Sequence, residues 1–162
     1  MHLTVEELLQ YTDEERARWE QWFRDNAEDL LKVPIQSDRE NTIGALVLHI
    51  FGSELRFVQR LNGELLTEYR HLPCQHIDES FGFGIESRKA LRRFVHRAAA
   101  ADWERILEFE IAGHLYNASV RKIVFQVLLH EIRHWAQIAK LLRERGFIPA
   151  GNHDLLASSA LE

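Results

Sequence analysis

Two histidines stand one helical turn apart in His130-Glu131-Ile132-Arg133-His134. On an α-helix, residues at that spacing are stacked neighbours, roughly 5–6 Å apart at Cβ. Two imidazoles so placed reach one divalent ion at roughly 2.0–2.1 Å each. Spacing alone is weak evidence, because nine histidines in 162 residues give about half such a pair by chance at neutral composition. Position adds weight. At about 100° per residue, Val120, Ile123, Val127, Ile138 and Leu141 share one face, with the two histidines in its middle. Imidazoles on an apolar face lose hydration unless a partner satisfies them. A metal ion does that. Hydrogen bonds from core histidines to helix carbonyls do it too, and the pair alone leaves both readings open.

The same five residues fit H-E-x-x-H, in which two histidines hold zinc and the glutamate is a peptidase's general base. The extended metzincin form fails, since Gln137 stands where its glycine belongs and Lys140 where its third histidine belongs. His153 and Asp154 are the downstream ligand candidates, and both lie in the tail. Glu131 stays a candidate base. Gln137, at the edge of the same face, is a second candidate catalytic group.

His49 is the other histidine inside a helix and beside an apolar stripe. Facing the pair, it completes a three-histidine set, and three protein ligands plus a water leave an open catalytic position. Taken alone it reads as a boundary histidine with one hydrogen bond. His96, among Arg92, Arg93 and Arg97, reads as part of a solvated face. His71, His76, His114 and His153 fall in loops without ligand spacing. Cys74 reads as a spectator thiol in a loop. The four tryptophans read as core or interface anchors.

These residues need elements to position them. Thr4-Val5-Glu6-Glu7 has the form of a capping box, with Leu3 and Leu8 as its staple. Helix 1 starts there and ends before Pro34, with a second possible cap at Thr12. Residues 35–41 are loop-like. Helix 2 spans about Thr42 to Leu61 and stops near Asn62-Gly63. Residues 63–83 hold glycines and Pro73 and read mostly as a long loop, of the kind that is often functional where it crosses a site. Helix 3 spans about Ile85 to Ala101. Ile106–Ile111, Ala112-Gly113 and His114–Tyr116 form a possible short hairpin. Helix 4, about Ser119 to Arg145, is closed by Gly146. The expectation is one all-α domain over residues 1–162, a four-helix bundle with its core at about 4–146 and a tail at 147–162. Bundles build metal sites from side chains projecting inward from facing helices.

Composition narrows the function classes. Net charge is −5 and no basic stripe stands out, which argues against a nucleic-acid partner. A single cysteine permits no intramolecular disulfide, as in a reducing compartment. The acidic N-terminus is unlike a signal peptide, and no apolar run has membrane-spanning length. The expected location is the cytoplasm.

The order of these features resembles a known family. An apolar helix carries one histidine in Thr42-Ile43-Gly44-Ala45-Leu46-Val47-Leu48-His49. A final long helix reads Val127-Leu128-Leu129-His130-Glu131-Ile132-Arg133-His134-Trp135-Ala136-Gln137-Ile138. The chain resembles the DinB-like superfamily, the YfiT-like metalloenzymes, over about residues 4–146. The resemblance implies a bundle in which His49, His130 and His134 hold a divalent metal with an open water position. Zinc is the first choice, and nickel and iron also suit such a donor set. Gln137 matches a glutamine common after the last ligand, whereas Trp135 replaces a further histidine frequent in the family. The resemblance implies a homodimer acting on a small molecule. The implied activity is thiol-dependent S-transfer with bacillithiol, mycothiol or glutathione. Apart from the resemblance, Arg56, Arg60 and Arg133 are this chain's candidate cations for a cosubstrate carboxylate. Two alternatives stand beside it: a hydrolase using a metal-bound water, and a non-catalytic dimeric helical module with Trp19 and Trp22 on its partner surface.

Overall fold

Helix α1 (Val5–Asp25) begins at the capping box: Thr4 accepts from the Glu7 N–H, and the Glu7 carboxylate accepts from the Thr4 N–H at 2.7 Å. It passes Thr12 without a break, because that hydroxyl donates back to the Leu8 carbonyl at 2.9 Å and so needs no cap position. A 3-10 turn (Glu28–Lys32) replaces the expected last helical turns before Pro34. The computed structural model describes residues 2–26, 28–35, 41–72, 76–151 and 153–161. Cys74, Pro73 and most of the expected loop at 35–41 lie outside the described residues.

Helix α2 (Ile43–Asn62) is capped by Thr42 and ends at Gly63, whose φ of 71° provides the left-handed C-cap. Helix α3 (Ile77–Arg97) starts two turns before the expected residue 85. The expected 63–83 loop is therefore shorter. Gly82 and Gly84, which read as loop punctuation, lie inside α3. At Gly84 the reason is contact, since a Cβ there would come within 2.9 Å of the Phe51 ring on α2. Absence of a side chain lets the two helices close on each other.

The hairpin expected after helix 3 is present, so the fold is not a purely helical bundle. After α3 come a short helix α4 (Ala100–Glu104) and an antiparallel hairpin, β1 (Ile106–Ile111) and β2 (His114–Ser119), the second strand three residues longer than expected. Their register pairs Ile106 with Ser119 and Ile111 with His114. Ala112 and Gly113 turn the chain at φ of 51° and 79°, the two positive dihedrals of a tight hairpin turn. Helix α5 (Val120–Arg143), capped by Ser119, completes the bundle. Helix α2 packs on α3 and α5, and α1 closes the ring against the same two. The tail returns to α1, where the Tyr11 hydroxyl donates to the His153 carbonyl at 2.7 Å.

Two apolar layers fill the ring. One gathers Trp19, Phe23, Ile50, Phe51, Phe81 and Trp135; the other gathers Leu9, Val58, Leu61, Leu91, Val124 and Leu128. Between them lies a buried ionic layer built from one residue of each long helix: Arg16, Glu54, Arg88 and Glu131. Arg16 bridges Glu54 at 3.0 Å and Glu131 at 2.6 Å, and Arg88 bridges the same two at 3.0 and 2.6 Å. Two guanidiniums and two carboxylates neutralise one another. The remaining donors and acceptors are met by Ser87, Thr12, Asp13 and the Gly84 carbonyl. Such a layer is tolerated in a core only when its polar atoms are satisfied.

Candidate metal centre

Helix α2 places His49 and helix α5 places His130 and His134 on facing sides of one contact. His130 Nε2 lies 3.1 Å from His49 Nε2 and 3.1 Å from His134 Nε2. One nitrogen from each ring lies within 4.8 Å of the others. Among the described residues this is a three-ligand cluster of the kind that holds one cation. The expected placement of the pair at the centre of the apolar face is corrected. The buried face of α5 is wider, taking in Val124, Leu128, Glu131 and Trp135 as well as Val120, Ile123, Val127 and Ile138, so His134 is buried near one edge of it and His130 lies half-buried at that edge.

The protonation pattern follows from the neighbours. His134 Nδ1 lies 2.9 Å from Gln137 Oε1, an oxygen that can only accept, so Nδ1 carries the proton and Nε2 keeps its lone pair. A lone proton on His130 Nε2 would then have to serve two acceptors at once, a poor three-centre arrangement. One cation accepts all three lone pairs, and spacings of 3.1 Å suit ligands roughly 2.0–2.1 Å from a shared ion. Burial, then the neighbouring His134 and His49 and the Arg133 charge, push the His130 pKa down to about 3, with Glu131 opposing. His130 is therefore neutral and ready to ligate near pH 7. The donor set fits a divalent transition metal of borderline softness.

The triad opens to a cavity of about 1050 Å³, walled by α2, α5 and the hairpin. Tyr69, from the segment after α2, stacks on His49 with ring centroids 6.1 Å apart and hydrogen-bonds Ser53 at 2.9 Å. Part of the segment expected to be a loop thus lines the site. Arg56, Arg60, Lys122 and Arg133 bring four cations to the wall, and among the described residues that line it Glu110 is the one acid.

Other sequence candidates lie elsewhere. Glu131 faces the ionic layer: its carboxylate accepts from Arg16 Nε at 2.6 Å, Arg88 at 2.6 Å and the Trp135 indole at 3.0 Å. Its acceptor positions are taken up on the side of α5 away from the cavity. Gln137 does line the cavity, and it orients His134. His153 packs on Trp19 with ring centroids 5.1 Å apart and meets Glu15 at 2.6 Å, so it does not join the triad. Trp19 is fully buried and stacks on Trp135 at 5.3 Å, which removes it from any partner surface. Sequence reasoning did not find Arg16, Glu54 and Arg88. Their signal is spacing, for Ile50, Glu54 and Val58 are successive neighbours on the buried stripe of α2.

No helix among the described residues is long and apolar enough to cross a membrane. No curated protein matches the sequence significantly. The family model described as the DinB superfamily matches residues 27–138, a span that includes all three histidines, Tyr69 and Gln137. With its helical ring and histidine cluster, the chain belongs to the DinB superfamily.

Proposed function

We propose that this chain is a metal-dependent enzyme that transfers a low-molecular-weight thiol of the bacillithiol, mycothiol or glutathione type to a small electrophile. His49, His130 and His134 would hold the ion, with zinc the first choice. When bound, such an ion supplies a Lewis acid that lowers the pKa of a thiol or water at its open position. Gln137 fixes the His134 tautomer, and Tyr69 backs the His49 ring. The sulfur attacks the electrophilic carbon, the leaving group departs with its electron pair, and the thiol proton passes to solvent.

One observation favours thiol transfer over hydrolysis. Glu131, the carboxylate nearest in sequence to the triad, is held by two arginines and an indole. A thiol ionised by a metal needs no general base, whereas attack by water gains from one. The cavity is large enough for a cosubstrate and an electrophile together. A homodimer in the cytoplasm accompanies this reading and rests on the family resemblance and the lone cysteine.

The test is conjugation of monobromobimane or a chloronitrobenzene with each of the three thiols, using metal-loaded protein, metal-free protein and His49→Asn. Turnover should require metal and vanish in the variant. No metal-dependent turnover with any thiol overturns the transferase assignment, and metal-dependent ester cleavage in its place would establish the hydrolase.

A further inference from the structure

We propose that Arg56 and Arg60 on α2 form a subsite for an anionic oxyacid group, a carboxylate or a phosphate, at the end of the substrate away from the histidines. The proposal rests on the reading above only for which end of the substrate reacts. The two arginines are one helical turn apart on the cavity wall. Like charges at that spacing destabilise a helix. Among the described residues neither forms an ion pair with a carboxylate, although the chain carries more acids than bases. On α1, by contrast, Arg16, Arg18 and Arg24 each meet a carboxylate. Glu110, the acid lining the cavity, offers Arg60 only its backbone carbonyl, at 3.4 Å.

Both guanidiniums are held in place. Arg56 lies over the Tyr69 ring at 5.1 Å and donates to the Thr67 carbonyl at 3.1 Å. Arg60 sits over Phe57 at 5.4 Å and Phe109 at 5.5 Å, between α2 and β1. Aromatic faces orient a guanidinium without neutralising it. Burial, then the like charge of Arg56, lower the Arg60 pKa; the attraction of a bound anion would oppose that shift. The Tyr69 ring lies against both the Arg56 guanidinium and the His49 imidazole, so one aromatic ring links the subsite to the triad. This arrangement fits a molecule with an anionic end on the arginines, an apolar body along Phe57 and Phe109, and a reactive end at the histidines.

The test is titration of the full-length protein with benzoate and, separately, inorganic phosphate, followed by NMR chemical shifts at low ionic strength. Wild type, Arg56→Gln, Arg60→Gln, the double variant and His49→Asn are compared, each with its metal content and circular dichroism measured. Binding should weaken at least tenfold in the double variant and remain in His49→Asn. The tighter probe identifies carboxylate or phosphate as the preferred group. Unchanged affinity in the folded double variant, loss of binding only in His49→Asn, or no binding of either probe to wild type would overturn the subsite. Arginine-dependent binding by protein that takes up no metal would retain the subsite while removing the metal-enzyme reading.

Discussion

His130 and Glu131 are consecutive on α5 and serve opposite sides of it: His130 Nε2 meets His49 at 3.1 Å, while the Glu131 carboxylate meets Arg16 at 2.6 Å. On α2, His49 and Glu54 repeat the pairing, one on the cavity and one in the ionic layer. The charged layer therefore ties α2 to α5 directly beside the ligand set. It holds the two helices in one axial register, and that register brings His49 opposite His130.

Removing one charge from this layer should be costly. In Glu131→Gln, Arg16 and Arg88 stay buried and share Glu54, with the part-exposed Asp13 left as the other carboxylate on Arg88, and breaking a buried pair typically costs about 3–5 kcal/mol. The urea midpoint should fall accordingly. At low temperature the folded fraction should still bind metal, since the substituted side chain faces away from the cavity. Normal stability with lost turnover would instead make Glu131 a base at the site.

Much of this was legible in the sequence. The capping box, the Gly63 stop, the hairpin and the histidines on two helices are local signals, each produced by a few neighbouring residues. The start of α3 was not legible, because the value of Gly84 depends on Phe51 from another helix. The ionic layer was hidden for a similar reason. A lone arginine or glutamate reads as solvated surface, and only assembly of four helices supplies its counter-charge. Glu131 misled more directly, since H-E-x-x-H assigns it a catalytic role while the fold gives it a structural one.

Gln137→Leu should loosen the centre without unfolding the chain. Loss of the Oε1 acceptor frees His134 Nδ1 to change tautomer, and such outer partners are typically worth about 10–100-fold in metal affinity. Competition with a zinc chelator measures this. Unaltered affinity would mean that the 2.9 Å contact does not set the ring's orientation.

Acid should destabilise the metal-free protein through two groups acting in the same direction. His130 has a folded pKa of about 3 against 6.5 for its ordinary value. The unfolded chain therefore takes the proton first, and stability is lost as pH falls through that interval. Burial raises the Glu131 pKa, but the Arg16 and Arg88 charges outweigh it and hold the pKa below 4.5. Its contribution is present above the unfolded value and is lost on further acidification. Urea midpoints of chelator-treated protein should drop between about pH 6.5 and pH 5. Zinc-loaded protein should resist until the ion is released, because binding requires neutral imidazoles. A flat metal-free profile would contradict a buried, neutral His130.

Gly82 and Gly84 lie half a turn apart on α3, and alanine should act in opposite directions at the two. At Gly82 an added Cβ meets nothing within 4 Å. The helix gains from lower backbone entropy in the unfolded chain, by about 0.5–1 kcal/mol. At Gly84 the Cβ would approach the Phe51 ring to 2.9 Å, and Phe51 is fixed from its other neighbours by Phe81, Trp135 and the Arg16 guanidinium. The ring cannot retreat without disturbing the ionic layer, so overpacking should cost about 1–3 kcal/mol. Thermal midpoints of the two variants, measured side by side, should move up for Gly82→Ala and down for Gly84→Ala. Equal shifts would show that the close approach of α2 and α3 is not what requires glycine at 84.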